Sequence, residues 1–195
     1  MGVLIGPNTL YYVIVRPKGK LREDFDFSDE KVRKPALLRP EMGERGTGDM
    51  ATTVIAITNQ KGGVGKTTTA AALLTGLHRR GAAVLGVDMD PQGSLGFSLG
   101  LDIEHCTTIY DVFRGQAEPE QAIVRTDTCD ILPSNILLSG AELEFNRPGR
   151  EFLLKTALSK VEDQYDYIII DTPPALSLLT VNAYVATDSL ICLLY

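Results

Sequence analysis

Residues 60–69 read QKGGVGKTTT, and this stretch decides the fold. An apolar, β-branched run precedes it, TTVIAIT at 52–58, and an alanine- and leucine-rich run follows it, AAALLTGL at 70–77. This order predicts a strand, a glycine-rich loop and a helix, the setting in which the N-terminus of a helix binds phosphate. Lys66 supplies a cation there, and Thr67 supplies a hydroxyl group suited to Mg²⁺.

The glycines of the loop allow a backbone path that side chains would obstruct. Gly62, Gly63 and Gly65 let successive N–H groups point at one anion. In the general pattern G-x-x-x-x-G-K-[ST] the first position is glycine, whereas here it is Gln60. Lys61 follows, so the loop reads KGGxGK[ST], the deviant signature of a family of dimerising ATPases. A glycine-rich turn without a ligand is the alternative, which the flanking strand and helix disfavour.

Length and composition are those of one globular domain. The chain has 195 residues, 44% of them hydrophobic, and no apolar run reaches the roughly 18 residues of a membrane-spanning helix. The first 15 residues make a poor secretory signal, and the three scattered cysteines are typical of reduced thiols. We therefore expect a cytoplasmic protein.

Composition changes near Met50. Residues 1–49 mix charges with proline and glycine and predict a disordered N-terminal extension, in which only LYYVIV at 10–15 is a candidate strand. We expect the P-loop ATPase domain to span 50–195. Met50 opens the first strand directly, so it is a candidate for the biological start, with 1–49 as upstream sequence that is not native.

Charge is distributed unequally between these two regions. Residues 1–49 hold 9 Lys and Arg against 8 Asp and Glu, whereas the remaining chain holds 10 against 17. The folded part is therefore acidic, which is unfavourable for binding the phosphate backbone of DNA.

Strands and helices alternate after Met50. The apolar runs are continuous, as in parallel strands that helices cover on both faces, and they predict an α/β, three-layer P-loop NTPase fold with a mostly parallel sheet. Tyr195 ends the chain on a predicted buried strand without a covering helix, so we expect the domain to be truncated at its C-terminus. The predicted strands are 53–58, 83–87, 129–132, 166–170 and 190–194, and the predicted helices are 66–80, 93–99, 107–114, 118–124, 139–146, 150–163 and 176–186.

Carboxylates mark the ends of two predicted strands. Asp88 and Asp90 stand in GVDMDPQGS, and in YDYIIIDTPP Asp171 follows the apolar run of the strand. Because the carboxyl ends of parallel strands share one edge of the sheet, we expect all three carboxylates beside the phosphate loop. We assign Asp90 a catalytic role, the orientation of the attacking water. We assign Asp171 a metal-associated role, holding Mg²⁺ through water near Thr67. The alternative for Asp88 and Asp90 is that they cap the next helix.

These motifs resemble the ParA/Soj family of partition ATPases, within the larger group that includes MinD and the nitrogenase iron protein. The resemblance covers about 50–195 and rests on NQKGGVGKTTT, VDMDPQGS, LPSNILLSGAELE at 132–144 and YDYIIIDTPPALSLLTVNAYVATDSL at 165–190. The last two stretches separate ParA-like proteins from their relatives.

The resemblance implies a homodimer that sandwiches ATP and Mg²⁺, in which catalytic Lys61 reaches the partner's nucleotide. Lys66 would hold the β- and γ-phosphates, Thr67 the metal and Thr68 the α-phosphate. The backbone positions of the implied nucleotide site are Gly62, Gly63, Val64 and Gly65.

The resemblance also implies the partners of a chromosome or plasmid partition switch. ParA-like proteins bind DNA nonspecifically as ATP dimers and release it when a ParB-like partner stimulates hydrolysis, so they are nucleoid-associated. Their main DNA-contacting basic residues lie beyond Tyr195. We therefore expect this chain to bind ATP weakly, to have little or no ATPase activity and to leave DNA binding to the missing C-terminal part.

There are three alternative hypotheses to a partition ATPase. A MinD-like membrane-associated ATPase shares the loop, but PQGS and PSN favour ParA, and we expect no membrane attachment. An iron–sulfur reductase would need paired cysteines, and these three are dispersed. A non-hydrolysing nucleotide-binding regulator, or an inactive fragment, is the third reading. The cargo stays open.

Overall fold

The computed structural model describes residues 11–15 and 52–194. Its strands are β1 (Tyr11–Val15), β2 (Thr53–Thr58), β3 (Val84–Asp88), β4 (Val124–Arg125), β5 (Asp130–Leu132), β6 (Tyr167–Asp171) and β7 (Ser189–Leu194). Its α-helices are α1 (Lys66–His78), α2 (Ser94–Ser98), α3 (Ile109–Phe113), α4 (Pro119–Ala122), α5 (Ala141–Glu144), α6 (Leu153–Leu158) and α7 (Leu178–Ala186). Short 3₁₀ helices span Ile103–His105, Ile136–Gly140, Arg150–Phe152 and Glu162–Gln164.

The strands form one mostly parallel sheet in the order β1-β7-β2-β6-β3-β5-β4. The five central strands are parallel, and β1 and β4 join the two edges in antiparallel pairing. Each pair of parallel neighbours is joined by a crossover connection rather than by a hairpin. The predicted α/β fold with a mostly parallel sheet is confirmed.

Alternate residues of the strands enter separate hydrophobic clusters on the two faces of the sheet. Ile168 and Ile170 of β6 pack in one cluster with Leu154 and Leu179, whereas Ile169 packs in the other with Leu74 of α1. Because successive strand side chains point to opposite faces, an apolar run such as YIII needs cover on both. The helices on the two faces therefore make a three-layer structure.

The predicted element boundaries are correct where the signal is local. The strand 53–58 is present as predicted, and the helix predicted over 66–80 ends at His78. The helix predicted over 150–163 is wrong, because the chain forms two 3₁₀ turns around a short α6. Val161 and Tyr165 both pack in the hydrophobic core, and the irregular backbone between α6 and β6 allows both side chains to reach it.

Two further differences concern the edges of the sheet. The helix predicted over 118–124 stops at Ala122, because Val124 and Arg125 pair with β5 instead. At the other edge, Tyr11–Val15 form a strand on β7, within the candidate strand 10–15 of the extension. Residues 1–10 and 16–51, on which the predicted disorder and the candidate start at Met50 fall, lie outside the described residues, as does Tyr195.

Within the described ranges, no helix combines the length and the apolar character that crossing a membrane requires.

Candidate functional site

The loop between β2 and α1 has the backbone conformation that its glycines predict. Gly63 and Gly65 have φ values of 72° and 89°, and Gly65 is the residue that precedes the first turn of α1. A Cβ atom added at either position would meet no heavy atom within 4 Å. Conformational strain, rather than lack of space, therefore requires glycine there. The first turn of an α-helix has N–H groups without intrahelical partners, and in α1 this turn directly follows the loop.

Lys66 is the buried cation of this loop. Lys66 is the first residue of α1 and is only 7% exposed. Its ammonium group donates a hydrogen bond of 3.1 Å to the main-chain oxygen of Lys61. Val64 is half-buried and packs against the cluster that includes Leu74, whereas Thr68 is exposed. This hydrogen bond between the two signature lysines, Lys66 and Lys61, joins the end of the loop to its beginning.

Lys61 is exposed at the tip of the loop. Its main-chain N–H donates to Oδ1 of Asn59 at 2.7 Å, and the same Asn59 side chain donates from Nδ2 to the main-chain oxygen of Leu193 at 2.5 Å. The main chain of Lys61 is therefore bonded through both its N–H and its carbonyl. Sequence reasoning assigned Asn59 no role, although it is the one polar residue between the apolar strand and the loop.

Asp88 is the last residue of β3, and it is fully buried. One carboxylate oxygen accepts from the N–H of Asp90 at 3.0 Å, and the other accepts from the N–H of Leu95, in the first turn of α2, at 2.9 Å. Burial, followed by the nearby charge of Asp171, raises the pKa of Asp88 to about 7, against these two hydrogen bonds. The contacts of Asp88 are therefore those expected under the alternative in which it caps the next helix, α2.

Asp90 lies on the turn after β3 and is half-buried. Its side chain accepts from the N–H of Gln92 at 3.0 Å, and its carbonyl accepts from the N–H of Gly93 at 3.0 Å. The hydroxyl of Ser134, a fully buried residue after β5, also donates to the carbonyl of Asp90. Ser134 belongs to the LPSN stretch, whose motif indicated family membership but no contact with this turn.

Asp171 is the last residue of β6 and is fully buried. Neither of its carboxylate oxygens has a hydrogen-bond partner within the described part of the chain. Burial raises the pKa of Asp171 to about 6, and the charge of Asp90 adds to this rise. The Thr67 hydroxyl, the Thr172 backbone N–H and the charge of Lys66 lie close enough to lower the pKa, although neither donor reaches a carboxylate oxygen with standard hydrogen-bond geometry. A buried carboxylate without a partner is costly, so its position is suited to an external cation or ordered water.

The sheet register brings these residues together. Ile57 of β2 is the register partner of Asp171, and Asp171 is the partner of Asp88 across β6 and β3. The phosphate loop and the aspartates thus meet at the carboxyl ends of parallel strands, where α/β sheets bind ligands. In the described ranges, no cluster of three or more His, Cys, Asp or Glu side chains forms a direct metal cage.

The fold and the site define a P-loop nucleotide-binding domain. The model of a family described as an AAA domain matches residues 52–194. The sporulation initiation inhibitor protein Soj of Bacillus subtilis is 48% identical over 144 residues, which are 71% of this chain and 56% of that protein. The chromosome partitioning protein ParA of Myxococcus xanthus is 44% identical over 153 residues, 76% of this chain and 54% of that protein. The chain belongs to the ParA/Soj family of P-loop ATPases.

A solved structure shows the same fold at the same level of identity. The cobyrinic acid a,c-diamide synthase of Mycobacterium smegmatis, with bound ADP and magnesium, aligns with a TM-score of 0.68 and 48% identity. The match covers 70% of this chain and 56% of that protein. The chain spans about half the length of the curated relatives it matches.

Proposed function

We propose that this chain is the ATP-binding part of a DNA-partition ATPase, a switch that dimerises on ATP and hydrolyses it to ADP and phosphate. The observation that carries the proposal is the buried carboxylate of Asp171, which lies beside Thr67 at the phosphate loop and accepts no hydrogen bond of standard geometry within the described residues. An unpaired charge is retained at a cost in stability, which a magnesium–nucleotide complex would offset. The name of the Myxococcus xanthus relative supports chromosome partition as the setting.

The oxygen atoms of this site fit Mg²⁺. Magnesium prefers oxygen ligands and keeps several of its waters, so one hydroxyl and one carboxylate suffice where phosphates supply the rest. We assign Thr67 as the direct ligand and Asp171 as the group that accepts hydrogen bonds from the metal's waters. When bound, the metal would neutralise charge that develops on the phosphates. The bound ADP and magnesium of the Mycobacterium smegmatis protein support this assignment.

The loop itself would bind the phosphates of ATP. Lys66 is held at the main chain by one hydrogen bond, and its ammonium has three donors, so it can turn toward β- and γ-phosphate oxygens. Thr68 is exposed at the start of α1 and is assigned to the α-phosphate. The main-chain N–H groups assigned to the phosphates are those of Gly62, Gly63, Val64 and Gly65.

Hydrolysis is assigned to Asp90. Its turn is held by three hydrogen bonds, from Gln92, Gly93 and Ser134, while the carboxylate stays half-exposed and can reach water. A carboxylate fixed in this way can orient an attacking water. Asp88, whose two oxygens already accept backbone bonds, is not assigned to this step.

Lys61 is assigned to the nucleotide of a second copy of the chain. It is exposed, whereas Lys66 is buried in its own loop, so the two signature lysines face different surroundings. A cation supplied across an interface stabilises charge on the transferring phosphoryl group, an effect of about 10³ to 10⁵ in rate where arginine does it. Turnover is then coupled to dimerisation.

The remaining partners follow from family membership. We infer a ParB-like protein as the activator and nonspecific DNA as the surface to which the ATP-bound dimer binds. Such a protein would be cytoplasmic and nucleoid-associated, without membrane attachment. The acidic composition of 50–195 supports placing the DNA contacts elsewhere.

The test is titration calorimetry with ATP, in buffer with Mg²⁺ and then with a chelator, followed by light scattering. We expect binding that weakens at least about tenfold without Mg²⁺, and a dimer with ATP but not with ADP. Absence of any Mg²⁺-dependent ATP binding contradicts the proposal. A regulator that does not hydrolyse would bind and dimerise but release no phosphate, even with its partner and DNA present.

A further inference from the structure

The side-chain amide of Asn59 connects two main-chain segments that are distant in sequence. Its Oδ1 accepts from the N–H of Lys61 at 2.7 Å, and its Nδ2 donates to the carbonyl of Leu193 at 2.5 Å. A main-chain N–H can only donate and a carbonyl can only accept, so these partners determine which amide atom faces which. The phosphate loop is thereby bonded to the end of β7.

The anchor at β7 is rigid. Leu193 is fully buried, and the last register pair between β2 and β7 is Thr58 with Cys192. The Asn59 amide adds a hydrogen bond one residue further along, where the two strands have ceased to pair. It therefore extends the attachment of β2 to β7 into the loop that carries Lys61.

The main chain of Lys61 is consequently held from two sides. Asn59 accepts from its N–H, and the ammonium of Lys66 donates to its carbonyl at 3.1 Å. When Lys66 turns toward a nucleotide, the bond to the carbonyl weakens or is lost, whereas the bond from the N–H to Asn59 involves no phosphate-binding group. The hydrogen bond from Asn59 is then a restraint on the main chain of Lys61 that persists in the ATP-bound loop.

We propose that Asn59 is a positioning residue for Lys61, and that its bridge to Leu193 couples the end of β7 to the lysine that acts on a second copy of the chain. The inference rests on the proposed function for the role of Lys61. A main chain fixed in advance lowers the entropy lost when the lysine engages the partner's nucleotide. A displacement at the end of β7 would reach Lys61 through one side chain.

Two variants separate the halves of the bridge. Asn59→Ala removes both hydrogen bonds, whereas Asn59→Asp keeps an acceptor for the N–H of Lys61 and turns a carboxylate oxygen toward the carbonyl of Leu193. Amide exchange of Lys61, measured by NMR without nucleotide, is expected to be about tenfold faster in Asn59→Ala. The rate in Asn59→Asp is expected between those of Asn59→Ala and the wild type. This measurement does not depend on ATPase activity.

The second readout separates positioning from a general loss of structure. In both variants we expect the affinity for Mg–ATP to stay within about twofold, while turnover at saturating ATP falls about tenfold or more. Asn146→Ala is the matched control, because Asn146 is an exposed loop amide that accepts only from Arg150 in the described structure. It is expected to match the wild type in all measurements.

Two results would overturn the inference: wild-type exchange of the Lys61 amide in Asn59→Ala, or wild-type exchange and turnover in Asn59→Asp. The first removes the positioning role, and the second removes the bridge to β7. If the wild-type chain binds no Mg–ATP, the proposed function fails, and the exchange rates still decide whether Asn59 holds Lys61.

Discussion

Asp88 and Asp171 are register partners at the ends of the neighbouring parallel strands β3 and β6, and both carboxyl groups are fully buried. They differ in their partners. Both oxygens of Asp88 accept backbone N–H groups, whereas neither oxygen of Asp171 has a hydrogen-bond partner in the described ranges. One of these adjacent carboxyl groups thus has hydrogen-bond partners and the other lacks them. The free energy of unfolding should therefore depend on pH through this edge of the sheet.

We predict that Asp171→Asn stabilises the chain at neutral pH in the absence of Mg²⁺. Burial raises the pKa of Asp171 from an ordinary 3.8 to about 6, so the folded state keeps its proton to higher pH than the unfolded state. The contribution of Asp171 to the free energy of unfolding is therefore fully present below about pH 4 and is lost as the pH rises through 6. Asparagine removes this loss, worth up to about 3 kcal/mol at pH 8.

Urea denaturation with a chelator, between about pH 4 and 8, measures this effect. Burial and the charge of Asp171 raise the pKa of Asp88 to about 7, so in the variant Asp88 keeps the part of its pH dependence that burial causes and loses the part caused by Asp171. Asp163→Asn is the control, because Asp163 is exposed. An unchanged pH profile in Asp171→Asn would show that the carboxylate has a partner in solution.

Lys66→Ala should weaken binding of ATP by at least about tenfold, because the substitution removes the buried cation of the loop. Titration calorimetry measures the loss. Lys155 is an exposed lysine on α6, and Lys155→Ala is expected to bind as the wild type does. Equal affinities for the two variants would refute the assignment of the phosphate loop.

Asp90→Ala should separate dimerisation from hydrolysis. The carboxylate lies half-exposed on the turn after β3 and outside the phosphate loop. ATP-dependent dimers should therefore form, while phosphate release falls about 10²-fold or more. Light scattering and a phosphate-release assay test the two steps. Failure to dimerise would instead indicate that Asp90 acts mainly in magnesium binding.

Lys61→Ala should leave ATP binding by the monomer largely intact, because the exposed ammonium is assigned to another copy of the chain. Turnover that rises with protein concentration in the wild type should disappear, a fall of up to about 10³ to 10⁵. Mixing this variant with Asp90→Ala offers a further check. If Lys61 acts in trans, one active site of the mixed dimer retains both groups, and activity should partly return.

Ser134→Ala should lower the free energy of unfolding by about 1 kcal/mol and also lower turnover, because the buried hydroxyl donates to the carbonyl of Asp90. Ser98→Ala is the matched control, since its exposed hydroxyl donates to the carbonyl of Ser94. Chemical denaturation and the phosphate-release assay are the measurements. Lost stability with unchanged turnover would leave Ser134 a purely structural residue.

The local signals in the sequence were sufficient for the fold. Strand β2 and the start of α1 at Lys66 follow from the apolar run and the glycines, because both depend on residues within a few positions of one another. The helix predicted over 150–163 failed for the opposite reason. Its backbone is broken where Val161 and Tyr165 enter a core assembled from distant strands, and no local pattern specifies that requirement.

The sequence by itself determined the phosphate loop, its two lysines and the aspartates at the strand ends, because glycine conformation and strand alternation are properties of short segments. Only the tertiary structure decided how these groups are paired. It gave Asp88 two backbone N–H partners, left both oxygens of Asp171 without a hydrogen bond of standard geometry in the described ranges, and bonded Asn59 to Leu193. Hydrogen-bond partners of buried side chains come from whichever segments the strand order brings alongside, and that order is a property of the whole sheet.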